Sequence, residues 1–184
     1  MLQNSIPLEG FLNPESLVGD FGIHPGMKIA DFGSGSGHVA VLLAQRTGQE
    51  GLVTAVDILE DKLDAVRVKA KAAGINNIET IRANLEVPGS SGLPDRSQDL
   101  VVLVNVLFQS TRKTDIIRES HRVLRSGGKI AIVEWKKGAG GLGPPEDLRT
   151  DDAVIQGLFS KAGLVLDHAF NAGQLHYGMI FRKP

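Results

Sequence analysis

The chain has 184 residues, enough for one well-buried core and short for two ordinary domains. Hydrophobic residues make up 42% and charged residues 22%, which excludes general disorder, and a formal net charge of -1 offers no basic surplus for phosphate backbones. Cysteine is absent, so disulfides, thiolate metal sites and thiol nucleophiles are excluded together.

Residues 1–10 lack the basic start and apolar run of a secretion signal, and no apolar stretch is long enough to span a bilayer, so the expected setting is cytoplasmic. Asn13-Pro14-Glu15 combines a cap residue with proline at the first helical position, which predicts a short helix through Leu17 and Val18 before Gly22. Pro25-Gly26 opens the main fold. A first strand is predicted over 28–32, followed by Gly33, Gly35 and Gly37 and a helix carrying Val39, Leu42 and Leu43. A second strand covers 52–58. The next helix carries Leu63, Val66, Ala70 and Ala73 at helical spacing and stops at Gly74.

A third strand is expected over 78–82, then a Gly, Ser and Pro-rich loop over 88–94. The unbroken apolar run Leu100 to Val104 marks a strand covered on both faces, at the centre of a sheet. Ser110 or Thr111 is the expected cap of a helix with Ile116, Ile117, Val123 and Leu124, ending at Gly127-Gly128 before a strand over 129–135. Residues 136–145 read as a flexible loop above the strand ends. A last helix carries Val154, Ile155, Leu158 and Phe159. Two closing strands, 164–169 and 176–182, are joined through Asn171-Ala172-Gly173, too short for a helical crossover, so that pair is antiparallel.

Ile29-Ala30-Asp31-Phe32-Gly33-Ser34-Gly35-Ser36-Gly37 carries the most chemistry, because a strand running through small residues into a helix lets a ligand approach the backbone closely. Gly35, Gly37 and Ala40 also satisfy the dinucleotide fingerprint, so the pattern alone leaves the ligand open. Asp57 closes the second strand, where an acidic side chain can accept both hydroxyls of a ribose or, alternatively, cap the following helix. Together the two features point to a nucleoside-containing ligand.

These residues resemble class I S-adenosylmethionine-dependent methyltransferases, in the style of the ubiquinone and menaquinone biosynthesis type. Pro25-Gly26-Met27-Lys28 leading into Asp31 to Gly37 resembles the family's first motif, and Ala55-Val56-Asp57 its acidic strand end. Asp99 to Val102 and His121 to Lys129 look like its fourth strand and the step into the fifth. The resemblance implies an α/β fold: a doubly wound, mostly parallel seven-stranded sheet of order 3-2-1-4-5-7-6, last strand antiparallel, with helices on both faces. It implies one domain over 1–184, with a lid-like segment over 1–25 that uses Phe11, Leu12 and Leu17, and a Rossmann-like core over 26–184.

It further implies S-adenosyl-L-methionine as cofactor. Gly33, Ser34, Gly35 and Gly37 would pack against its methionine and ribose portions, Asp31 would hold the amino group, Asp57 the ribose, and Ile58 and Leu85 would line the adenine. The family's aspartate for the adenine amino group is replaced by Asn84, whose amide oxygen can accept the same bond or whose side chain can serve a turn. Asn105, at the end of the central strand, would bind cofactor and orient the reacting groups, with Phe108, Gln109 and Trp135 as neighbours. Methyl transfer from a sulfonium needs an in-line nucleophile, so positioning can supply most of the catalysis. His38 is a second candidate beside the cofactor carboxylate, or an exposed residue of a first helical turn.

The expected acceptor is a small organic molecule. The basic residues of the second and fourth helices are interrupted by Glu60, Asp61, Asp64 and Glu119 without aromatic interleaving, which argues against nucleic acid. No metal site is expected, and a homodimer stays open. Three alternatives remain at this point: a protein or RNA acceptor, a nicotinamide-dependent oxidoreductase, and a non-catalytic cofactor-binding module. The lack of cysteine sets aside thiol-dependent arsenite methylation.

Overall fold

A computed structural model describes residues 12–184, so Phe11 lies outside the described residues. In chain order they form α1 (Pro14–Gly19), β1 (Lys28–Phe32), α2 (His38–Thr47), β2 (Leu52–Asp57), α3 (Glu60–Ala72) and β3 (Ile78–Arg82). There follow β4 (Gln98–Val104), α4 (Lys113–Val123), β5 (Leu124–Trp135), α5 (Asp152–Lys161), β6 (Val165–Asn171) and β7 (His176–Arg182). The seven strands make one sheet of order β3-β2-β1-β4-β5-β7-β6. β7 runs antiparallel to both β5 and β6; the remaining pairs are parallel.

Alternation along each strand sends side chains to opposite faces, and each face has its own core. Val101 and Leu103 of β4 join Phe32, Ile116, Ile117, Ile155 and Phe159 on the α4 and α5 side. Leu100 and Val102 join Leu43, Val66, Leu17 and Val18 on the α1, α2 and α3 side. This two-sided burial explains why β4 reads as a continuous apolar run. It also places Leu17, expected over a cofactor, in the core beside α2. α1 itself begins as its sequence predicts, with the Asn13 side chain accepting the Glu15 and Ser16 amides at 3.0 and 3.3 Å.

Three local expectations are corrected. The helix expected to end at Gly127-Gly128 stops at Val123, and residues from Leu124 onward belong to β5, because Leu124 pairs with Gln98 ahead of an irregular register. Neither Ser110 nor Thr111 caps α4: the cap position is Arg112, without a side-chain cap bond, and the Ser110 hydroxyl accepts the Arg112 amide at 2.8 Å and donates to Glu86 at 2.5 Å. The loop expected to be flexible after β5 is wound around one buried side chain. Arg149 donates to the carbonyl oxygens of Lys136, Gly140, Leu142 and Pro144 at 2.6–3.1 Å. Its guanidinium carbon stands 5.7 Å from the Trp135 ring centroid, and Trp135 in turn lies 4.0 Å from the His176 ring. No helix among the described residues is long and apolar enough to cross a membrane.

Candidate functional site

The carboxyl ends of β1, β2, β3 and β4 open on a cavity of about 460 Å³. This is where a doubly wound sheet binds ligands, beside the reversal of strand order between β1 and β4. Gly33 and Gly35 bring the turn after β1 to its wall, Asp57 and Ile58 the end of β2, Asn84 and Leu85 the end of β3, and Asn105 the end of β4.

Gly33, Gly35 and Gly37 all have positive φ, at 74°, 51° and 83°. Nothing lies within 4 Å of where a side chain on Gly35 would begin, so a ligand can approach that backbone directly. Gly37 serves another purpose. A Cβ there would stand 2.8 Å from Val66, so the glycine lets α2 pack on α3 and is not part of the cavity wall. The turn is held from below by the Val56 carbonyl, which accepts the Gly33 and Ser34 amides at 2.7 and 3.1 Å.

Asp57 accepts the Gly35 amide on Oδ2 at 2.9 Å and the Leu59 amide on Oδ1 at 3.0 Å. Each carboxylate oxygen retains capacity for a further donor. Asn84 uses its amide oxygen for a turn, accepting the Glu86 amide at 3.0 Å, while its side chain also borders the cavity. Of the two roles left open by the sequence, the turn is the one this bond fills.

Asn105 adopts the left-handed region at φ 56°, which asparagine tolerates better than most residues. Its amide donates to the Val133 carbonyl at 2.8 Å and its own carbonyl accepts Gln109 Nε2 at 2.8 Å. Gln109 lines the cavity; Phe108 and Trp135, expected beside Asn105, do not. Trp135 is occupied beneath the Arg149 loop, where a side chain on Gly143 would meet its ring at 2.5 Å.

Asp31 and Ser34 lie behind the cavity wall. Asp31 is 2% exposed, and burial followed by the neighbouring Asp57 charge pushes its carboxyl up to about 7. Asp31 Oδ2, Ser34 Oγ and Asn105 Oδ1 are buried and find no hydrogen-bond partner among the described residues. His38 is exposed and lies outside this cavity. No cluster able to hold a metal ion occurs among the described residues.

A family model described as a methyltransferase domain matches residues 23–162. The chain belongs to that family. The domain is 32% identical over 117 residues to the ubiquinone/menaquinone biosynthesis C-methyltransferase UbiE of Shewanella sp. (strain W3-18-1), covering 63% of this chain and 45% of the relative. The chain thus spans less than half the length of the curated relatives it matches. In fold it is similar to a SAM-dependent methyltransferase from Aquifex aeolicus, with a TM-score of 0.84, 24% identity, and coverage of 95% of this chain and 90% of the other. It is also similar to an arsenic(III) S-adenosylmethionine methyltransferase from Chlamydomonas reinhardtii, at TM-score 0.69, 25% identity, and 86% and 63% coverage. S-adenosyl-L-methionine is the cofactor named for both of these solved structures. The cavity fits it on three grounds: an open backbone at Gly35, carboxylate acceptors at Asp57, and a buried unpartnered oxygen on Asn105 at its wall.

Sequence reasoning missed Lys62, Glu86, Val106, Ser110 and Ile116 on the cavity wall. It also missed Glu134, whose signal was present: a carboxylate ending the apolar run Ile130 to Val133 of a central strand.

Proposed function

We propose that the chain is an S-adenosylmethionine-dependent methyltransferase acting on a small organic acceptor, with catalysis mainly by positioning. The observation that carries this reading is the convergence of Gly35, Asp57, Asn84 and Asn105, from four successive strand ends, on one cavity. The cofactor supplies a methyl group already activated on a sulfonium, so the protein's task is to bind and align.

In this reading Gly33 and Gly35 cradle the ligand backbone to backbone, while Ser34 and Gly37 shape the turn. Asp31 faces the ammonium group, Asp57 accepts the ribose hydroxyls, Ile58 and Leu85 flank the adenine, and Asn84 borders its amino group. Asn105 binds at the methionine end and orients the transfer. Residues 26–184 act as a single core domain, with 1–25 as an added segment. The balanced charge supports a small acceptor over nucleic acid, and the kinship with a quinone-pathway C-methyltransferase supports a carbon acceptor. A cytoplasmic setting accompanies the reading, and a homodimer is a further arrangement that it accommodates.

The test is methyl incorporation from labelled S-adenosylmethionine into a fractionated cell extract. Label in the low-molecular-weight fraction is expected. Label confined to protein or RNA would replace the acceptor class, leaving the cofactor site intact.

A further inference from the structure

The segment after Asn105 is held from beneath by a side chain that never reaches the cavity. Glu134, 2% exposed near the end of β5, accepts two consecutive amides on Oε1, Val106 at 2.9 Å and Leu107 at 2.6 Å. Those amides begin the short 3-10 turn Leu107–Gln109 and follow directly on the left-handed Asn105. A carboxylate in such a place is costly to bury, and burial pushes its carboxyl up to about 7 even though backbone donors pull the other way.

What the two bonds fix is the cavity wall. Val106 lines the cavity and presses on the glycine turn: its Cγ2 stands 2.6 Å from where a side chain on Gly33 would begin. The Asn105 carbonyl and the Val106 side chain therefore share one backbone conformation, set on one side by the Val133 carbonyl and on the other by Glu134. β5 in this way reaches through the end of β4 to the turn after β1.

We propose that Glu134 is a positioning residue for the cofactor cavity, gripping the Val106 and Leu107 amides so that Asn105 keeps its left-handed backbone and Val106 stays against Gly33. The proposal rests on the cofactor reading above. What the grip requires is an acceptor oxygen at the right reach. Oε2 is buried and unpartnered among the described residues and plays no part in it.

The experiment is calorimetric titration with S-adenosylhomocysteine of the wild-type chain and of Glu134→Gln, Glu134→Asp and Glu134→Ala, with a thermal melt of each. Glutamine keeps the oxygen at full reach, so its affinity is expected within about threefold of wild type, whereas aspartate and alanine lose about tenfold or more, the scale of one to two lost hydrogen bonds. A merely structural role would lower the melting temperature while folded variants bind as wild type does. Wild-type affinity in aspartate or alanine, or equal losses in glutamine and alanine, would overturn the proposal; should alanine fail to fold, the contrast of glutamine with aspartate decides it. Silence from the wild-type chain would remove the cofactor reading itself, and the proposal with it.

Discussion

The Gly35 amide donates to Asp57 Oδ2 at 2.9 Å, so the glycine turn after β1 and the acidic end of β2 hold each other at the edge of the cavity. Asp57 therefore organises the site as well as offering acceptors to it. Replacing Asp57 by Ala is expected to lower affinity for S-adenosylhomocysteine about 10- to 100-fold, or about 1.5–3 kcal/mol, because hydrogen bonds to a charged group are lost along with the turn's anchor. Asp57→Asn retains one carbonyl acceptor and should lose less. Titration of both variants checks this, and an unchanged affinity in the alanine variant would contradict the assignment.

The two partners are legible in the sequence because each sits where a strand gives way to a loop: Gly35 in the glycine cluster after one apolar run, Asp57 at the end of the next. Glu134's hold on Val106 and Leu107 is not legible, since it spans 27 and 28 residues and belongs to the pairing of β4 with β5. The extension of β5 back to Leu124 escaped for the same reason, as Gly127-Gly128 carries the local signature of a helix stop while Gln98 supplies the distant partner. Arg149 was silent because its partners are backbone carbonyls, which every sequence possesses. Asn84 reads two ways from its neighbours alone, and the structure gives its amide oxygen the turn, in a residue that also lines the cavity.

Asp31 and Glu134 give the protein a pH dependence of definite sign. Burial first, then Asp57, raises Asp31 to about 7, and burial raises Glu134 to about 7. A carboxyl raised on folding contributes its full stability below its unfolded value and loses it as pH climbs through the folded one. Ligand-free protein is expected to melt progressively lower between about pH 4 and 7. A cationic ligand favours ionised Asp31, so S-adenosylmethionine should bind more tightly across the same interval and release a proton. Melting curves and calorimetry in buffers of different ionisation heat read both; in Asp31→Asn both slopes should flatten. Pronounced slopes of the opposite sign would refute the assignment.

Arg149→Ala leaves the carbonyls of Lys136, Gly140, Leu142 and Pro144 without their shared donor. A loss of about 2–4 kcal/mol is expected, the scale of breaking a buried network. Trp135 is the sole tryptophan and lies beneath this loop, so its emission should shift to the red in the folded variant. An unchanged spectrum and melt would show that the loop holds without its central side chain.

Two glycines predict opposite signs. Gly37→Ala forces a side chain into φ 83° with Val66 at 2.8 Å, and should cost about 2–4 kcal/mol. Gly157 lies inside α5 with nothing within 4 Å of its would-be Cβ, so Gly157→Ala should stabilise by about 0.5–1 kcal/mol. Denaturant unfolding of the pair compares backbone strain with helix propensity in one protein.

The most direct test of the account is calorimetric titration of the purified chain with S-adenosylmethionine and S-adenosylhomocysteine, with NAD as the competing nucleotide. Saturable binding of the two sulfur nucleosides, and none of NAD, is the predicted result. Binding of NAD alone, or silence from all three, would contradict the cofactor site built around Gly35, Asp57 and Asn105.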